Sequence, residues 1–253
     1  MDGSVALACN VCWEARGAVR VDRLVGVTRG RVLEAFRLEA QGLSRAVAGL
    51  SEDEWDLPTR CAPWSVRELL AHLRVAIAWL PGMLAASQPD EAEVSAVEYY
   101  RPDNRFAPQA NAARIGLAQD HAAGQTSGAA LAVDFAATWQ EVDRLCRAEP
   151  EFRVVRTRHG DAMLLSDFLV TRVVEIAVHG LDVADALGRE PWLTPQAGDV
   201  VLELLLGPGH IAAVGELGWD RPRFLRKATG REPLDVAEAA RVERLGIRWL
   251  TLG

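Results

Sequence analysis

The chain has 253 residues, 49% of them hydrophobic, with a formal net charge of −7 and a pI near 5.3. This gives one domain, or a domain with a small appendage, around a real core, and excludes a disordered chain. The acidic balance, with no basic run, argues against a nucleic-acid or anionic-membrane partner, and no stretch reaches the roughly 18 consecutive apolar residues of a bilayer span.

Residues 1–21 are expected to form a loose leader. Their apolar patch has no basic segment before it and no small-residue cleavage site after it, so they do not read as a secretory signal. The expected compartment is the cytoplasm, where Cys9, Cys12, Cys61 and Cys146 would be thiols. Cys9 and Cys12 make an isolated CxxC without a second pair at zinc-ribbon spacing, and no function is expected of it.

From Asp22 to Leu50 apolar residues recur every three to five positions, which predicts a long helix buried on one side. Ser51 can cap a short new turn, and Pro58 and Pro63 keep "DLPTRCAP" out of helix. Ser65 and Glu68 form a capping box that opens a second long helix, Val66 to about Ala85. The polar stretch "SQPDEAEVSAVEYYRPDNRFAPQ" reads as a loop with one short helix. Residues 109–148 are helical in composition, broken at "GQTSG", with Ala129–Arg147 the stronger piece. "EFRVVRTRHGDAML" is extended around a glycine turn.

Ser166–Leu187 is the next long helix, closed by Gly188, and Thr194–Pro195 opens another that ends at Gly207-Pro208-Gly209. Short helical pieces fill 210–253. Four long apolar-faced helices with one long crossover give an all-α four-helix bundle over residues 22–207, with 208–253 a small C-terminal helical extension.

The helix 166–187 carries a polar stripe, Arg172, Glu175, His179 and Asp182, on an otherwise apolar surface. Glu175 and His179 are four apart and project from one face. A buried carboxylate and a buried imidazole each need partners, and a divalent cation satisfies both. The pair alone is also the pattern of an ordinary ion pair. A third donor is available at His72, on the apolar helix 66–85, where an isolated histidine would equally serve as a hydrogen-bonded core residue. His121, His159 and His210 fall in polar, turn and loop contexts and read as surface or loop structure. Two histidines and one carboxylate leave open positions on a metal, as in catalytic rather than structural sites. With Zn²⁺ such a site has a formal charge of about +1 and would hold an incoming thiol as its reactive thiolate.

"LPTRCAPWSVRELLAHL" (57–73), "RVVEIAVHGLDVADALG" (172–188) and "FLRKATGREPL" (224–234) resemble the mycothiol-dependent maleylpyruvate isomerase family, of the DinB-like superfamily of four-helix bundles. The resemblance spans roughly 22–235. It implies a metal, usually zinc, on His72, Glu175 and His179, although this ligand set suits Ni²⁺ and Fe²⁺ as well. Asp182 matches the family's Asp, with a role in orienting a ligand or backbone, or a plain polar contact, as the two readings. The resemblance further implies mycothiol or a similar low-molecular-weight thiol as cosubstrate and a small electrophile as substrate. The reaction would be thiol addition, rotation and elimination, or S-transfer.

Residues 190–253 are too few for the larger C-terminal domain of some members, so maleylpyruvate itself is not the expected substrate. Trp64 and Trp79 are candidates to line the binding cavity, although a tryptophan at helical spacing is more often core. Arg172 is a candidate to pair with a carboxylate, and Arg74 is expected in an ordinary ion pair. Cys61 is expected to be a plain loop thiol, Arg60 being its one basic neighbour in sequence. The rival reading is a non-catalytic metal-containing binding protein that sequesters a small molecule or thiol conjugate. The oligomeric state is open, with a homodimer among the options.

Overall fold

The computed structural model describes residues 28–101, 103 and 107–245. The leader with Cys9 and Cys12, and the end of the extension from 246, lie outside the described residues. The described residues hold α1 (Arg29–Val47), α2 (Glu52–Trp55), α3 (Val66–Ala85), α4 (Ala96–Tyr99), α5 (Pro108–Ala123) and α6 (Gly128–Ala148). A two-stranded hairpin follows, β1 (Val154–Arg156) and β2 (Ala162–Leu164), and then α7 (Leu165–Ala186) and α8 (Pro195–Leu206). Past a single 3-10 turn come α9 (His210–Leu217), α10 (Arg221–Ala228) and α11 (Val236–Leu245).

The fold is all-α apart from the hairpin. Helices α1, α6, α3 and α7 each pack on the next and close a ring, so they form the four-helix bundle. The long crossover between α3 and α6 carries α4 and α5, and α5 lies along α3. Helix α8 lies across α1 and α7, and α10 touches both α7 and α8.

Local chemistry fixes the element ends. Ser51, Ser65 and Ser95 each form a full capping box, with Glu54, Glu68 and Glu98 reaching back to the cap backbone. The first helix begins later than the apolar periodicity predicts: Thr28 caps it, accepting from Arg31 N at 3.4 Å, and residues 22–27 lie outside the described residues. The hairpin pairs Val154 with Leu164 and Arg156 with Ala162, around Gly160 at φ +96°. Gly188 at φ +61° follows α7, a left-handed position that suits glycine.

One detail differs from the sequence expectation. His210 starts α9 and is buried, because the Gly207–Gly209 turn leads straight into that helix rather than into a loop. Helix α3 is long and apolar enough in composition to cross a bilayer, although its apolar residues are interrupted by charged ones. Its apolar faces are covered by the bundle: Val66, Leu69, Leu70, Leu73, Ile77 and Leu80 are all core.

Candidate functional site

Helices α3 and α7 pack side by side in the bundle, and each turns polar residues inward. His72 is buried on α3, and its ring stacks on Trp64 at 4.6 Å between centroids. Its Nε2 lies 3.2 Å from Glu175 Oε2 on α7. The same oxygen lies 3.5 Å from His179 Nε2. The three donor atoms all fall within 4.8 Å of one another. A tetrahedral ion with ligand bonds of about 2.1 Å separates its donors by roughly 3.4 Å. The two distances through Glu175 match that edge, and the donor types, two imidazoles and one carboxylate, suit Zn²⁺, Ni²⁺ or Fe²⁺.

Electrostatics supports the same grouping. Burial raises the Glu175 carboxyl, but bonds to His179 and His72 and the charge of Arg172 outweigh it and hold it well below the usual carboxylate range. Burial pushes the His72 imidazole below its ordinary value, against the pull of Glu175. A neutral imidazole is the form that offers a lone pair. His179 is shifted the other way: burial lowers it, but bonds to Asp182, Cys61 and Glu175 outweigh this and hold it well above its ordinary value, so an ion would have to displace its proton.

His179 is oriented from behind. Its Nδ1 lies 2.9 Å from Asp182 Oδ2, which leaves Nε2 to face Glu175. Asp182 is fully buried and is gripped by Arg231, with Nε–Oδ1 at 2.6 Å and Nη2–Oδ2 at 2.7 Å. Burial opposes its ionisation, but His179 and Arg231 hold the carboxyl far below its ordinary value. Arg231 comes from the segment after α10, where Gly230 at φ +71° turns the chain back toward α7. The C-terminal segment therefore supplies one wall of the site.

Cys61 does not stand alone. Its Sγ donates to Asp182 Oδ2 at 3.1 Å and lies 3.7 Å from His179 Nδ1 and 3.5 Å from Arg231 Nη2. Sequence neighbours could not show this, because the basic partner lies 170 positions away. The loop that carries Cys61 is pinned by Thr59 N to Trp64 O and Trp64 N to Cys61 O, both 3.0 Å.

These groups open onto a cavity of about 570 Å³ between α3, α5, α7, the hairpin tip and the Thr229–Arg231 turn. Trp64 and Trp79 both line it, Trp64 buried against His72 and Trp79 at the mouth beneath Arg158 rather than in the core. Arg172 lines it too. Its Nη1 donates to Ala76 O at 3.0 Å, its Nη2 lies 3.8 Å from Glu175, and its guanidinium sits over Phe168 at 4.8 Å. His159, at the hairpin turn, also reaches the cavity, which its turn-like sequence context does not reveal. Arg74 lies elsewhere, in an ion pair with Asp134 at 2.8 Å, and His121 joins the same carboxylate at 2.9 Å. Residue spacing does not reveal Arg231; it lies within "FLRKATGREPL" (224–234), a segment in which the sequence marks no site residue.

The model of the family described as "Mycothiol maleylpyruvate isomerase N-terminal domain" matches residues 36–184. Two Mycobacterium tuberculosis proteins, "Uncharacterized protein MT0041" of strain CDC 1551 / Oshkosh and "Uncharacterized protein Rv0036c" of strain H37Rv, are each 29% identical over 161 residues, 63% of this chain. The chain spans 57% of the length of these curated relatives. Among solved structures, a mycothiol-dependent maleylpyruvate isomerase aligns at 17% identity and a TM-score of 0.47, over 69% of this chain and 68% of that one.

Proposed function

The chain belongs to the mycothiol maleylpyruvate isomerase N-terminal domain family, and on that premise we propose that it is a metal-dependent enzyme that uses a low-molecular-weight thiol, mycothiol or a close analogue, to isomerise a small electrophile or transfer sulfur to it. The observation that carries this reading is the convergence of His72 Nε2, Glu175 Oε2 and His179 Nε2 at one end of a cavity large enough for two small molecules.

A divalent ion held by these three side chains would act as a Lewis acid and keep the thiol in its thiolate form at neutral pH. The chain's own residues define the rest. Asp182 fixes the His179 ring and Arg231 fixes Asp182. Arg172 places a positive charge beside Glu175, where it can receive a carboxylate of the substrate. The apolar walls from Trp64, Val75 and Val178 limit water around the reacting atoms. Isomerisation needs little more: the thiolate sulfur bonds to the β-carbon of a cis double bond conjugated to a carbonyl, the π pair moves to the carbonyl oxygen as an enolate, the former double bond rotates, and the returning enolate pair breaks the C–S bond to give the thiolate and the trans product.

The test is a direct one. Purified protein loaded with Zn²⁺ is given mycothiol and a panel of cis-unsaturated electrophiles, with products followed by chromatography. Thiol-dependent conversion that disappears in His72→Ala and His179→Ala supports the reading. Stoichiometric zinc and ligand binding without turnover across the panel would replace it with a binding protein.

A further inference from the structure

The cavity is a slot rather than a round pocket. On α3 its lining runs from His72 through Ala76 and Trp79 to Met83, and on α7 from His179 back to Phe168. At 1.5 Å per residue each wall is roughly 16 Å long. The walls run antiparallel: Glu175 meets His72 at 3.2 Å, and one turn further along α3 the Ala76 carbonyl accepts from Arg172 at 3.0 Å. The metal-ligating cluster therefore occupies one end, with Trp79, Met83 and Phe168 toward the other.

That other end is apolar and open. Trp79 on α3 and Leu117 on the adjoining α5, 42% and 43% exposed, are large apolar side chains that line this slot. Apolar surface left open inside a concave site is surface that a ligand covers. A molecule of four or five carbons at the cluster would leave it wet.

The slot is also positively charged, although the chain as a whole carries −7. Arg114, Arg158 and Arg172 line it, and Glu175 is the one carboxylate among the described residues that do so. Arg158 lies over the Trp79 ring at 5.6 Å and Arg172 over Phe168 at 4.8 Å, so both guanidinium groups are held against the aromatic surface.

We propose that the slot selects an elongated amphipathic organic acid, its alkyl or aryl body lying along α3 and α5 over Trp79 and Leu117 and its carboxylate held by Arg158 and Arg172. This rests on the reading of the site as one that takes an electrophile, and it specifies that electrophile's size and polarity.

Saturated acids test the slot without the reaction. Straight-chain carboxylates from butanoate to dodecanoate are titrated calorimetrically into the zinc-loaded protein, with the matching primary alcohols beside them. Affinity is expected to rise about fourfold per added methylene until the slot is filled. The alcohols are expected to bind at least tenfold more weakly than the acids. Trp79→Ala and Leu117→Ser, both at exposed positions, are expected to weaken dodecanoate about tenfold or more and butanoate far less.

An affinity independent of chain length, alcohols equal to acids, or variants that weaken every acid alike would each overturn the proposal. Saturated acids cannot add a thiol, so the series can succeed where thiol-dependent turnover fails, and fail where turnover succeeds.

Discussion

Arg231 and Asp182 form a two-pronged ion pair, 2.6 Å and 2.7 Å, across 49 positions of sequence. The pair ties the C-terminal turn to the middle of the bundle, and it stands directly behind His179. An unpaired carboxylate at a fully buried position would be costly, so the guanidinium keeps Asp182 charged where it can orient the imidazole.

Weakening that support should loosen the metal without removing a ligand. Asp182→Asn keeps the size of the side chain but loses the charge that fixes the His179 ring. Zinc affinity is expected to fall about 10- to 100-fold, the usual cost of losing such a partner. Competition with a chromophoric chelator measures it, and an unchanged affinity would mean that the Asp182 contact is a plain polar one.

Each of the three candidate ligands should be needed. His72→Ala, Glu175→Gln and His179→Ala are expected to lose stoichiometric zinc, as read by elemental analysis after dialysis, because two remaining donors seldom retain the ion. Arg74→Ala should keep full zinc content: Arg74 belongs to a separate ion pair with Asp134. Loss of zinc in Arg74→Ala, or its retention in all three ligand variants, would remove the site.

The bundle was legible because its information is local. Apolar periodicity and the serine caps at Ser51 and Ser65 marked α3 and its neighbour α2, and the i,i+4 spacing placed Glu175 and His179 on one face. His72 was legible as a candidate because it sits on an apolar helix. The Cys61–Asp182–Arg231 cluster was not, because its members meet through tertiary folding over 121 and 170 positions, and charge near a thiol cannot be read from adjacent residues alone. Trp79 shows the reverse limit. Its spacing on α3 fits a core position, yet it lines the cavity mouth, and periodicity cannot separate a face that meets a helix from one that meets a cavity.

The glycine that opens α6 is fixed by packing. A Cβ on Gly128 would fall 2.1 Å from Trp55 Cδ1, and Trp55 is fully buried with no room to withdraw. Gly128→Ala is expected to destabilise the fold by about 1–3 kcal/mol, the cost of overpacking a core, despite the better helix propensity of alanine. Urea unfolding measures the shift. A variant as stable as the wild type would show that α2 can move aside freely.

Stability should also fall across the acid-to-neutral range because of Glu39. This carboxyl is buried on α1, and burial lifts it from 4.5 to about 7, against the lowering effect of two bonds from Thr194, Oγ1 at 2.6 Å and N at 2.9 Å. The folded state therefore binds its proton more tightly than the unfolded chain does. Below about pH 4.5 both states are protonated and its contribution is at its most favourable; as pH rises toward 7 the unfolded state ionises first and the contribution is lost.

The full shift amounts to roughly 3 kcal/mol. Glu175 and Asp182, held below their ordinary values, act with the opposite sign: their stabilisation is present above the unfolded carboxylate range and is lost in acid. The difference between wild type and Glu39→Gln isolates the one group. Glu39→Gln is expected to gain on the wild type between pH 5 and 7.5 in urea unfolding; parallel curves would mean that Glu39 ionises in the fold as easily as in water.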